Sequence, residues 1–351
     1  MVFQKRKSPL LPTYNYNSTT SKFSLNFFNN KFLIKKSGLF GILIIISVTI
    51  NLYYFASYHL TDTSEPSVRG ENLIDNSLKQ NFLPDASHPE LKDLIIVAGH
   101  AIYLGNNQGG DEEKDENWVL EEFQKGGQVN TFINHIKKGV ELVKENEEAL
   151  LIFSGGQTRP SAGPRSEAQS YYVSLYREAL AQSLNLISTT NFTSTTNTST
   201  NHYPLITRII TEEYARDSYE NLLFSISRFN EYTNNYPRHI TVIGFQFKKK
   251  RFVELHRYAL KFPLNRFKYI GIDPDNTSPL GRFVGENVNS MGPFQRDLYG
   301  CHGKLLEKKL IRNPYRRSHP YQISCPELSS LFNYCPENQT QLFPDKLPWE
   351  I

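Results

Sequence analysis

A chain of 351 residues, 39% hydrophobic and 21% charged, is too apolar for a disordered protein and too polar for a multi-span membrane protein. It has room for one large core or two modest ones, and three cysteines are too few for a disulfide-built scaffold. The net charge of +4 belongs to one end: Lys5, Arg6, Lys7, Lys22, Lys31, Lys35 and Lys36 stand in residues 1–36 without one acidic side chain, which leaves the rest slightly acidic and speaks against a nucleic-acid partner.

Residues 37–58, SGLFGILIIISVTINLYYFASY, carry no charged side chain. At about 1.5 Å per residue they reach roughly 30 Å, enough to cross a bilayer core. Tyr53, Tyr54 and Tyr58 stand at one end, where aromatic rings favour the interface, and Lys31, Lys35 and Lys36 precede the other. The expectation is a single-pass anchor in the lipid bilayer behind a basic tail, without the small-residue cleavage site of a signal peptide. The basic flank stays cytosolic and puts the body in the lumen of the secretory pathway. Asn-x-Ser/Thr acceptors at Asn191, Asn197, Asn276 and Asn338 agree with a glycoprotein there. An acid-free, Ser-containing N-terminus before one span also suits the mitochondrial inner membrane, the alternative compartment. Residues 59–90, polar and holding Pro66, Pro84 and Pro89, read as a stalk.

From residue 91 to 281 the pattern is that of an α/β domain. Short apolar runs at 94–98, 149–153, 205–210, 240–245 and 267–272 have the composition of strands buried on both faces. Between them Phe132, Ile133, Ile136, Val140 and Val143, and again Leu222, Leu223, Ile226 and Phe229, recur at helical spacing. Strand and helix alternate, which predicts a Rossmann-like, doubly wound, mostly parallel sheet of about five strands. Residues 184–203, rich in Ser, Thr and Asn, read as a flexible insertion. Residues 282–351 hold seven prolines and no clear repeat, and read as an irregular extension that wraps the domain. All three cysteines lie there, so one disulfide with one thiol left over is expected; Cys325 and Cys335 are the closest pair in sequence, and spacing leaves the pairing open.

Ligands of open parallel sheets bind beyond the carboxyl ends of the strands. That rule selects Gly99-His100, the segment from Ser154-Gly155-Gly156 to Arg159, the segment from Thr211 to Asn221, and Phe245 to Arg251. Glycines after a buried strand let backbone N–H groups turn toward an anion, or merely turn the chain. Arg159 near them suits phosphate or carboxylate. Ser166 is a good N-cap and Glu167 suits the first turn of the next helix; the same position aims Glu167 at the cleft as a general base. Asp217 is an N-cap or an acid, with Ser218 beside it and Asn221 four residues on. His100 is the histidine directly after a strand, and Lys248 and Arg251 flank another strand end. The candidates are therefore Glu167, Asp217 and His100 for catalysis, and Ser154, Gly155, Gly156, Arg159, Ser218, Asn221, Lys248 and Arg251 for a ligand. The acidic run from Asp111 to Glu116 lacks EF-hand spacing, no His/Cys cluster has zinc spacing, and Walker, G-x-G-x-x-G and G-x-S-x-G motifs are absent, so no metal is expected and no cofactor is named.

Taken together, IIVAGHA, LLIFSGGQTR, PRSEAQSYY, RIITEEYARDSYENLLFSISRF and ITVIGFQFKKKRFVELHRYAL resemble, in order, the domain of unknown function shared by the bacterial envelope proteins SanA and YdcF, in its fungal membrane-anchored branch. The resemblance covers roughly residues 92–273. It implies a Rossmann-like domain with a cleft lined by Ser154, Gly155, Gly156, Glu167, Asp217, Ser218, Asn221 and Arg251. Bacterial members carry His shortly before that Arg, where this chain has Phe247-Lys248-Lys249-Lys250. The expected function is binding of, or action on, a small anionic ligand, phosphate- or nucleotide-bearing. A non-catalytic anchored scaffold and a luminal glycosyltransferase-like enzyme are the alternatives, the latter lacking Asp-x-Asp between 91 and 281.

Overall fold

The computed structural model describes residues 49–50, 88–105, 113–182, 205–274 and 284–350. Of the expected span only Thr49 and Ile50 are among them, both helical; the basic tail, nearly all of the stalk and the insertion lie outside the described residues. Among the described residues no helix is long and apolar enough to cross a membrane. The chain divides into two units, Met1–Gly70 and Glu71–Ile351, and the fold belongs to the second.

Its strands are β1 (Asp93–Ala98), the short β2 (Ile102–Tyr103) and β3 (Trp118–Val119), then β4 (Ala149–Ser154), β5 (Ile209–Glu212), β6 (His239–Gly244) and β7 (Phe267–Gly271). β2 and β3 pair with each other as an antiparallel ladder; the other five form one parallel sheet in the order β5-β4-β1-β6-β7. Register sets Ala98 beside Ser154 and Ser154 beside Glu212, so three strand ends lie in a row, the last two polar.

A parallel sheet needs apolar cover on both faces, and the two-residue period of the strands supplies it. Ile95, Val97, Leu151, Phe153 and Ile243 face one way, against α1 (Gln128–Glu145) and α2 (Glu167–Gln182). Leu94, Ile96, Leu150, Ile152, Ile240 and Val242 belong to the opposite core, with α3 (Ser218–Thr233). α1 buries Val129, Phe132, Ile133, Ile136, Val140 and Val143, the expected stripe. Gly139 lets it approach closely, since a Cβ there would lie 2.8 Å from Val97.

Three expectations change. The run 205–210 is not one strand: Leu205–Arg208 is a 3-10 turn and β5 starts at Ile209. The buried Arg208 guanidinium donates to the Val143 and Asn146 carbonyls at 2.8 Å, closing the carboxyl end of α1 before the chain enters the sheet. Nor is 284–350 a loose wrap. It carries α4 (Gly303–Ile311) and short helices, and Phe294, Tyr299, Leu305, Tyr321, Leu328 and Trp349 complete the core on the α3 side. Trp349 also donates its indole N–H to the Leu260 carbonyl at 2.7 Å. A fully buried side chain of this size is worth about 1.5–3 kcal/mol, so the extension is part of the fold. The disulfide joins Cys301 and Cys335; Cys325 is buried with its sulfur 3.3 Å from the Ser227 carbonyl of α3, which corrects the pair nearest in sequence.

Candidate functional site

From β1 the chain passes outward to β4 and β5, then returns to the other side of β1 for β6 and β7. The connections leave β1 and β6 in opposite directions, the arrangement that in open α/β sheets favours a ligand crevice between their carboxyl ends. Gly99-His100 and Phe245 to Arg251 form its two sides.

The Ser-Gly-Gly turn does not cradle an anion with its backbone. The Gly155 N–H donates to the Glu212 carbonyl at 3.0 Å and the Gly156 N–H to the Ala215 carbonyl at 2.7 Å, so both donors are used within the fold. These glycines serve close approach instead. A Cβ on Gly155 would lie 2.8 Å from the Glu167 Cβ, one on Gly99 2.7 Å from it, and one on Gly156 2.8 Å from the Ala215 carbonyl oxygen. Ser166 caps α2, accepting the Gln169 N–H at 2.9 Å. Glu167 follows, 8% exposed, with its carboxylate against Gly99 and Gly155 and one oxygen accepting from the Thr158 hydroxyl.

Beside the turn, Ser154 donates its hydroxyl to Glu212 at 2.7 Å, and Asn221 donates to the Ser154 hydroxyl at 2.9 Å and carbonyl at 3.1 Å. Glu212 also accepts the Tyr214 N–H at 2.7 Å and the Tyr321 hydroxyl at 3.3 Å. It is 1% exposed, and burial pushes its carboxyl up to about 7 against these donors. Glu212 was not among the sequence candidates. A charged residue ending an otherwise apolar strand was the available signal.

Across from it the Lys248 Nζ lies 3.1 Å from His100 Nδ1, and His100 Nε2 is buried without a hydrogen-bond partner. Burial first, then Lys248 and His135, hold His100 well below its usual value, so the ring is neutral. Phe245 stacks on it at 5.0 Å and Phe247 stacks on Phe245 at 5.0 Å. The Lys248 stem keeps some exposure, but burial of its ammonium and the Arg251 charge pull it down to about 7. Arg251 lies in a π-helical turn, Arg251–His256, and pairs with Glu286 at 3.1 Å, both side chains buried. Arg312 bears on Lys248 and Arg251, and Lys308, lowered by burial and then by Arg312 and Arg251, joins the same field. Glu286, Lys308 and Arg312 come from the extension, which sequence reading kept apart from the cleft.

The remaining candidates are engaged elsewhere. Asp217 caps α3 by accepting the Glu220 N–H at 2.9 Å, and its other oxygen is 3.3 Å from Lys309. Lys309 is likewise 3.3 Å from Glu220, which accepts two bonds from the Arg216 guanidinium at 2.9 and 2.6 Å. Burial raises Asp217 despite Lys309, whereas Lys309 and Arg216 outweigh burial at Glu220 and bring it to about 2. Asp217 is thus part of a buried ion network that ties α3 to α4. Ser218 bonds His256 Nε2 at 2.8 Å, and Arg159 pairs with Glu121 at 2.5 Å.

A neutral imidazole, the buried Glu167 and Arg251, and the half-buried Lys248, Lys308 and Arg312 are therefore neighbours beyond the ends of β1 and β6, a set of groups suited to holding an anion and moving a proton beside it. A separate groove of about 360 Å³ on the β5 edge, lined by Tyr172, Val173, Ile210 and Arg228 among others, offers no such set, since Arg228 is paired with Glu231 at 2.5 Å. No protein-family model matches the chain. Over 271 residues it is 34% identical to Uncharacterized protein YOR238W of Saccharomyces cerevisiae, an alignment that covers 68% of this chain and 89% of the yeast protein.

Proposed function

The chain belongs to the same family as this yeast protein, and on that premise we propose that its α/β unit binds a small anionic ligand, phosphate- or nucleotide-bearing, in the crevice between β1 and β6. The observation that carries the reading is the approach of four cations from separate stretches of chain: Lys248, Arg251 paired with Glu286 at 3.1 Å, Lys308 donating to the Asn289 carbonyl at 2.7 Å, and Arg312 donating to the Arg216 carbonyl at 3.1 Å. Like charges held together in a desolvated space cost free energy, and an anion removes that cost as it binds. Guanidinium and ammonium groups together suit the tetrahedral oxygens of a phosphate. His100 then offers its unpartnered Nε2 to the ligand and Glu167 a carboxylate able to accept a proton.

The ligand is found by titrating the purified full chain with inorganic phosphate, pyrophosphate, nucleotides and sugar phosphates. At least one should bind, with affinity at least tenfold weaker in Lys248→Met. Silence across the set, or equal affinity in the variant, contradicts the reading.

We further propose that residues 37–58 anchor the protein by a single pass with the body in the secretory lumen. Asn338 supports this: it is exposed, and the Thr340 hydroxyl of its acceptor triplet donates to its side chain at 3.1 Å. Resistance to alkaline extraction together with a mobility shift on endoglycosidase treatment is expected. A protein that is endoglycosidase-insensitive and co-fractionates with mitochondria would place it in the alternative compartment.

A further inference from the structure

Around the Cys301–Cys335 disulfide the side chains are arranged as a covalent cross-link alone would not require. Asp297 accepts the Cys301 N–H at 3.2 Å and the His302 N–H at 2.9 Å, which fixes both residues at the start of α4. The His302 imidazole makes no capping bond to that helix. It lies against the two sulfurs instead, with Nδ1 3.2 Å from Cys301 Sγ and 3.7 Å from Cys335 Sγ. Asp297 Oδ1 is 3.6 Å from the same Nδ1 and 4.0 Å from Cys301 Sγ.

These separations have a chemical meaning. Zinc takes thiolate at about 2.3 Å and imidazole or carboxylate at about 2.0–2.2 Å, so tetrahedral geometry sets its ligand atoms roughly 3.4–3.8 Å apart. Cys301, His302 and Cys335 already bring their ligand atoms within 4.8 Å of one another, the sulfur–sulfur edge being short because the two atoms are bonded, whereas Asp297 is near His302 and Cys301 only. We propose that Cys301, His302 and Cys335 form a zinc site that opens when the disulfide is reduced, with Asp297 beside them turning in as the fourth ligand.

The chemistry balances. A dithiol transfers two electrons and two protons to the disulfide, the sulfur–sulfur bond breaks, and the dithiol closes to its own disulfide. Zn²⁺ then replaces the two thiol protons, which pass to solvent, and accepts His302 and Asp297 as its other ligands. Cys335 is exposed and Cys301 and His302 are partly so, which gives metal and reductant access. Either state closes the same stretch of chain, the one that sends Tyr321, Leu328 and Leu331 into the core. The extension would thus stay cross-linked in an oxidising or a reducing compartment. In sequence the group is hidden, because 34 residues separate Cys301 from Cys335.

The test uses the full chain, oxidised or reduced with a phosphine, then loaded with zinc alone and freed of excess metal. One zinc per reduced chain and none on the oxidised chain is expected. Cobalt in its place should give an intense thiolate charge-transfer band, and His302→Ala should weaken zinc binding at least tenfold. Reduced wild type that retains no more zinc than oxidised wild type overturns the proposal, without reliance on any variant that fails to fold. Undiminished affinity in His302→Ala overturns it as well.

Discussion

Glu212 shows how burial turns one side chain into a pH-sensitive element. Its carboxyl is raised from 4.5 to about 7, so the folded protein holds the proton more tightly than the unfolded chain. The stability this gives is complete below pH ~4.5 and is lost as pH climbs through 7. Against Glu212→Gln, neutral throughout, wild type should lose ~2–3 kcal/mol between pH 5 and 8. Unfolding curves at four pH values measure it, and parallel curves for the two proteins would refute it. Lys248 has the opposite sign, because burial and Arg251 lower it from 10.5 to about 7. A bound anion raises it again, so affinity should fall above pH 7 by up to tenfold per unit, and Lys248→Met should bind weakly with a flat profile. At this scale the sequence was informative about place and less so about role. It pointed to the Gly155-Gly156 turn beside Glu167, but the two N–H groups serve the Glu212 and Ala215 carbonyls. Spacing cannot reveal that, since the partners lie about 60 residues away.

Among the elements, α3 is held by charges that local pattern could not reveal. The helix itself was legible: an Asp N-cap, apolar residues at helical spacing, and Asn234 closing it in the left-handed conformation at φ 56°. Lys309, which neutralises Asp217 and Glu220, comes from α4, a segment with no strong periodic signal. It is buried and also donates to the Tyr299 carbonyl at 2.9 Å. Removing it strands the buried Asp217 and leaves Glu220 with Arg216 as its cation, so Lys309→Met should cost about 3–5 kcal/mol. Asp217→Asn in the same chain should recover part of that loss, giving a non-additive double-mutant cycle. Strict additivity in chemical denaturation would show that the pair does not interact. The parallel strands were legible for a simpler reason: each is apolar on both faces, and only β5 was misplaced, where Ile206 and the Arg208-sealed turn imitate a strand in composition.

At the scale of the whole molecule, the extension and the sheet form one body. Residues 284–350 supply Glu286, Lys308 and Arg312 to the crevice and Trp349 to the core, and so the site is incomplete without them. A chain ending at residue 283 should fail to fold, read as loss of the cooperative unfolding transition; a truncated protein with a sharp transition would contradict this. Proline content and missing periodicity hid the contribution, because the extension packs through isolated aromatic side chains rather than a continuous helical stripe.

The most direct measurement is a crystal structure of the protein soaked with whichever phosphate compound binds it most tightly. Its phosphoryl oxygens should lie within hydrogen-bond distance of the Lys248 ammonium or the Arg251 and Arg312 guanidinium groups, beside His100. The same compound bound away from the carboxyl ends of β1 and β6, with that space filled by the protein's own side chains, would contradict an anion site there.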